Sequence, residues 1–152
     1  MVSVARRFLR NLELSRFSSL SEGRFSKVLE EHTLRLAEQF PVGGHGNWGA
    51  ARKALNIFLR DVIYCRPLCD HYKLAYLEHQ LELPLDSNCY EGLLVDADDG
   101  AVPSWPGVKA LNSAISDELQ NVASTIAQRW GVPRVHLDVK YWRKAAVDDL
   151  SA

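Results

Sequence analysis

Four glycines fall within nine residues, Val42-Gly43-Gly44-His45-Gly46-Asn47-Trp48-Gly49-Ala50, between two stretches of strong helical periodicity. Glycine loses more conformational freedom on folding than any other residue. A cluster this dense therefore implies positive φ angles or a close approach of the backbone to something. On the N-terminal side, Phe25, Val28, Leu29, His32, Leu36 and Phe40 trace one apolar face from about Ser21 to Phe40, where Pro41 ends the helix. On the C-terminal side, Trp48, Ala51, Leu55, Phe58, Leu59 and Val62 form a second face reaching about Cys65. The small residues between them let two amphipathic helices close tightly on each other.

The rest of the chain reads the same way. Val4, Phe8, Leu9 and Leu12 recur at helical spacing in Val4–Leu14, and Leu68–Gln80 is a weaker helical stretch with Leu74 and Leu77 inward. Leu81–Leu85 contains Pro84 and reads as a loop entering a helix, with Asp86 as N-cap and Cys89, Leu93 and Leu94 beyond it. After the loop Asp96–Pro106, Val108, Leu111, Ile115, Leu119, Val122, Ile126 and Trp130 mark a long helix that Gly131-Val132-Pro133 stops. A short last helix, Val139–Lys144, takes Asp138 as N-cap, and 145–152 reads as a frayed tail. The expectation is an all-α protein: a single compact domain of about six helices over 1–152.

The 152 residues suffice for one real core, and no apolar run approaches the ~20 residues that span a bilayer. No secretory signal is evident, so a cytoplasmic location is expected, and no cofactor motif is found. The net charge of −1 conceals a split: residues 1–60 carry ten Lys/Arg against five Asp/Glu, and 61–152 carry eight against fourteen. A basic face on a neutral protein permits nucleic-acid binding, and it equally describes an ordinary solvated surface. Cys65, Cys69 and His71, with Cys89 further on, have the chemistry of zinc ligands at an unusual spacing. Buried cysteines explain the same residues, so no metal is assigned. The C-terminal Arg134–Lys144 stretch mixes basic and aromatic residues. It reads as a helix docking Leu137, Tyr141 and Trp142 on the core, or as a stacking surface for single-stranded nucleic acid.

A glycine turn before a helix also exposes free N–H groups, a natural seat for phosphate, and Arg52, Lys53, Asn56 and Arg60 follow it. The frame apolar-x-Gly-apolar-Gly-x-x-x-Ala is met by Val42, Gly44, His45, Gly46 and Ala50, with His45 in an apolar slot. On these residues the segment 25–65 resembles a helix-hairpin-helix. The run Leu83-Pro84-Leu85-Asp86 is similar to the segment that follows the hairpin in helix-hairpin-helix DNA glycosylases. The resemblance covers at most 25–95. It implies duplex DNA held through phosphate contacts, with Gly44, His45, Gly46, Trp48, Arg52 and Lys53 as binding residues. It further implies a catalytic Asp86 that steers water or stabilises the positive charge developing on the sugar as a base leaves. The lysine frequent in the family falls here on Trp48, and Lys53 is the nearest amine, so hydrolysis rather than a lyase reaction is implied.

Two plainer readings account for the same residues. The glycines serve as a tight connector in a helical protein that oligomerises or binds another protein, and Asp86 serves as a helix cap. The imidazole of His45 either donates to a phosphate or packs against Trp48.

Overall fold

Pro41 and the glycines after it divide the two helices on which the molecule is built. The computed structural model describes residues 1–142, and among them every regular element is helical. In chain order these are α1 (Val2–Arg10), α2 (Glu22–Gln39), α3 (Trp48–Tyr64), α4 (Arg66–Tyr72), α5 (Ser87–Asp96), α6 (Ser113–Trp130) and α7 (137–142). Three short 3₁₀ turns, Leu14–Phe17, Ala75–His79 and Arg134–His136, connect them. The all-α expectation holds, with one helix more than the six expected. The proposed 145–152 tail and the end of the last helix at Lys144 lie outside the described residues.

Phe40, before Pro41, is extended at ψ 143°, which ends α2. Asn47 starts α3 by accepting a hydrogen bond from the Ala50 amide at 2.9 Å. Gly43 and Gly46 take positive φ of 90° and 75°, the conformations the turn needs and other residues resist. Gly49 has a different reason: a Cβ there would overlap the carbonyl oxygen of Val108, so it admits the loop before α6.

Two apolar clusters form. The first joins Phe17, Phe25, Leu29, Leu36, Leu55, Leu59, Leu74, Leu77 and Val135. The second joins Trp48, Leu83, Leu85, Cys89, Leu93, Leu119, Ile126, Leu137 and Tyr141. The segment 81–86 contributes to both, with Leu81 in the first and Leu83 and Leu85 in the second. It has no sheet partner, and side chains satisfy its backbone. The amide of Glu82 donates to Asn56 Oδ1 at 3.0 Å, and that of Leu83 to Gln120 Oε1 at 3.0 Å. Gln120 Nε2 returns a bond to the Leu83 carbonyl at 2.8 Å.

Several boundaries differ from expectation for local reasons. The helix expected from Val108 starts at Ser113, because Asn112 caps it through the Ile115 amide and Gly107 turns the chain at φ 81°. Lys73, left-handed at φ 54°, splits the expected Leu68–Gln80 helix into α4 and a 3₁₀ turn. The first helix ends at Arg10, and Leu14 begins a 3₁₀ turn. Leu94, expected inward, is half exposed. Asp138 lies inside α7, and its side chain is engaged with Arg60 and Cys89 instead of capping the helix.

His32 is buried between Phe8 and Phe17, with ring centroids 6.2 and 5.6 Å away, and neither ring nitrogen has a partner. Burial pushes its pKa below the ordinary 6.5; Arg16 and Arg35 act in the same direction, and Glu31 and Glu13 oppose them. The unfolded chain then takes up the proton at a higher pH than the native one. Stability contributed by neutral His32 is present above about pH 6.5 and is lost as pH falls through that value towards the depressed one. His32→Leu is expected to flatten this loss in urea denaturation series run at successive pH values. Gly49→Ala and Gly92→Ala, whose new Cβ atoms would overlap Val108 and the Tyr141 ring, should each cost about 1–3 kcal/mol. Gly23→Ala, with open space around it, should be neutral or slightly stabilising in the same measurement.

Candidate functional site

The residues singled out by sequence separate into three places. The glycine turn closes on itself. The Gly44 amide donates to the Pro41 carbonyl, Gly46 to Ala37, Asn47 to Gly44 and Trp48 to Gly46, all at 2.8–3.0 Å. Four of the turn's amides are thus already used, while those of Gly43, His45 and Gly49 have no hydrogen-bond acceptor among the described residues. Gly44 is buried beneath the Met1 side chain, and Gly46 is exposed. His45 is exposed and does not pack against Trp48. Trp48 is buried, its indole N–H donating to Glu30 Oε1 at 2.9 Å with the Arg52 guanidinium 5.1 Å from its ring centroid.

Arg52, expected as a phosphate-binding cation, is buried and paired inside the molecule. Its guanidinium grips Glu82 with two bonds, Nε to Oε2 at 2.7 Å and Nη2 to Oε1 at 2.8 Å. Its third nitrogen donates to Glu30 at 3.0 Å and to Thr33 Oγ1 at 3.1 Å. Asn56, one helical turn on, donates to the same Glu82 at 3.1 Å. Arg52 and Asn56, at i and i+4 on α3, therefore face the interior, because the 81–86 segment packs across them. Glu82, Glu30 and Gln120 were missed by the sequence reading. The available signal was a glutamate inside the apolar run Leu81–Leu85 and uncharged amides at Asn56 and Gln120 on amphipathic helices.

Lys53 and Asp86 come together. Asp86 caps α5 through the Cys89 amide at 2.8 Å, and its other oxygen lies 2.6 Å from Lys53 Nζ. The carboxylate is almost buried, and the lysine is partly open. The residues between them in sequence form α4 and the 3₁₀ turn, which lengthen the path without separating the ends. Beside Asp86, the Cys89 thiol lies 3.4 Å from the Pro84 carbonyl and 3.6 Å from Asp138 Oδ1. Asp138 is ion-paired to Arg60. A polar ladder thus runs Lys53–Asp86–Cys89–Asp138–Arg60.

Three members of this ladder, Lys53, Asp138 and Arg60, line a groove of about 540 Å³ between α3 and α7 together with Asp61, Tyr64, Val139 and Trp142, while Asp86 and Cys89 are buried and do not line it. The α3 residues among them recur at helical spacing on its outer face. Lys53 Nζ stands 5.9 Å from the Trp142 ring centroid. Burial raises the Asp138 pKa above the usual carboxylate value, with Arg60 opposing it. Burial, then the neighbouring Asp86 and Asp138 carboxylates, push the Cys89 thiol far up, so it is a poor nucleophile. The groove combines the cations of Lys53 and Arg60, the carboxylates of Asp61 and Asp138 and the rings of Tyr64 and Trp142. It can hold a planar ring by stacking while presenting charge to a polar substituent.

The cysteines do not converge: Cys69 packs in the first cluster and Cys89 in the second, and Cys65 is exposed. Among the described residues, no group of three or more His, Cys, Asp or Glu is placed to hold a metal ion. Nor is any of their helices long and apolar enough to cross a membrane. Comparison with protein families, with curated proteins and with solved structures finds no match to this chain.

The Arg52 clamp has a direct consequence for stability. Glu82→Gln leaves a buried guanidinium short of charge compensation and should cost about 3–5 kcal/mol. Glu31→Gln, which loosens the exposed and solvent-screened bridge to Arg16, should change stability far less. Chemical denaturation of the two variants measures the difference.

Proposed function

We propose that the protein binds duplex DNA and hydrolyses an N-glycosidic bond at the groove between α3 and α7, with Asp86 at the reacting centre. The observation that carries this reading is the Lys53–Asp86 pair, whose lysine lines the groove and whose carboxylate lies buried behind it. Asp86 stands in the sequence context that resembles the glycosylase aspartate, and its carboxylate lies against an amine that lines a cavity. In the proposed reaction the bond between sugar and base breaks, and the oxygen of a water bonds to the sugar C1′. The base departs with a proton from that water. The Asp86 carboxylate favours the positive charge that develops on the sugar, and Lys53 and the Cys89 amide hold it in place. Trp142 and Tyr64 offer ring faces on which an extruded base stacks.

A second reading is a non-catalytic helical protein that binds another protein or a second copy of itself. The turn favours it: with the Gly44, Gly46, Asn47 and Trp48 amides used internally and Arg52 inside, the glycines act as scaffolding.

Asp86→Asn discriminates between the two. Asparagine caps a helix nearly as well as aspartate, so the fold should survive while the charge is lost. Base release from duplexes carrying damaged bases, read as abasic sites by alkaline strand scission, is expected to fall about a hundredfold or more. Absence of base release by the wild-type protein on duplexes that it binds would favour the second reading.

A further inference from the structure

With the Gly44, Gly46, Asn47 and Trp48 amides occupied and Arg52 buried, a DNA-binding protein of this fold gains from another phosphate-facing surface. Most other arginines among the described residues are paired with carboxylates: Arg16 and Arg35 with Glu31, Arg52 with Glu82, Arg60 with Asp138, Arg66 with Asp70 and Arg129 with Asp98. Arg134 is bonded to the Gln80 and Leu81 carbonyls and to Ser124, and Arg24 is exposed with no carboxylate in salt-bridge distance among the described residues. The first helix gathers three such unpaired arginines on one element. Arg6, Arg7 and Arg10 are all exposed, and among the described residues no carboxylate lies within salt-bridge distance of any of them. Positions 6, 7 and 10 fall at i, i+1 and i+4, so with Ser3 they share one face of α1. The first acidic residue of the chain is Glu13, beyond the helix.

We infer that the arginine face of α1 is a docking surface for the phosphates of a nucleic acid. This rests on the DNA reading given above and names the surface that would hold the backbone. At about 1.5 Å of rise per residue, Arg6 and Arg10 stand about 6 Å apart along the helix, within reach of neighbouring phosphates on one strand. Guanidinium groups bind phosphate by paired hydrogen bonds as well as by charge. The opposite face of α1 argues against a lipid surface. Val4, Ala5, Phe8 and Leu9 are packed against the first apolar cluster, so no apolar face is left to enter a bilayer. The helix also adjoins the hairpin, since the Met1 side chain covers Gly44.

The test uses the full chain with all three arginines replaced, Arg6→Gln, Arg7→Gln and Arg10→Gln, and a fluorescently labelled short duplex. Binding is followed by anisotropy over a range of salt concentrations, and circular dichroism checks the fold. The triple variant is expected to lose about tenfold or more in affinity at low salt, and the slope of log K against log salt should fall by about 2–3. Arg66→Gln, which removes an exposed but paired arginine, should leave both unchanged. A folded triple variant that binds like the wild type with an unchanged slope overturns the inference and leaves the groove reading standing. A wild-type protein that binds no duplex at low salt overturns the DNA reading and this inference together. Retention on anionic phosphatidylserine vesicles, lost in the triple variant and without duplex binding, assigns the face to a membrane and overturns it as well.

Discussion

The two-pronged ion pair between Arg52 and Glu82 organises the interior of this molecule. Glu82 belongs to a segment that runs between two apolar clusters without a sheet partner, where unpaired backbone groups would be costly. The arginine fixes the segment's side chain, and Asn56 and Gln120 satisfy its backbone. Desolvation offsets much of the attraction in such a pair, so its main effect is on register. A slip of one residue would bring Leu81 or Leu83 to the guanidinium and expose Glu82 to the apolar clusters. With register fixed, Asp86 arrives at the start of α5 and holds Lys53, which lines the groove.

The glycine turn has a structural explanation at several positions. Gly43 and Gly46 supply positive φ, and Gly49 makes room for the Val108 carbonyl. The internal hydrogen bonds of the turn consume donors that a phosphate would otherwise claim. Interest therefore moves along α3, away from its N-terminus and towards Lys53, Arg60 and Tyr64. There the helix is covered only partly by α7, and charge and aromatic surface meet in one cavity.

The helical class was legible in sequence because it rests on periodicity. The faces of α2 and α3, the stop at Pro41 and the Asp86 cap follow from spacing and side-chain chemistry that act within a few residues. What could not be read depends on distant partners. Arg52, Asn56 and Arg60 form a clear stripe in the sequence, but nothing local says that Glu82 and Asp138 will meet it. The first turn expected for α6 failed similarly: Val108 and Leu111 keep helical spacing, yet they serve a loop packed on Gly49 while Asn112 starts the helix. The Lys53–Asp86 pair, hidden by the long intervening segment, needed the folded chain. The open arginines of α1 were visible as charges, but their lack of partners was not.

The most direct test of this account is a residue-resolved nuclear magnetic resonance titration of the protein with a short duplex containing a stable abasic-site analogue. The account predicts shifts at Lys53, the Cys89 amide, the Trp142 indole and the arginines of α1. It predicts little change at the Gly44, Gly46 and Trp48 amides or at the Arg52 guanidinium. Strong shifts confined to the glycine turn, with Lys53 and Trp142 unmoved, would contradict it.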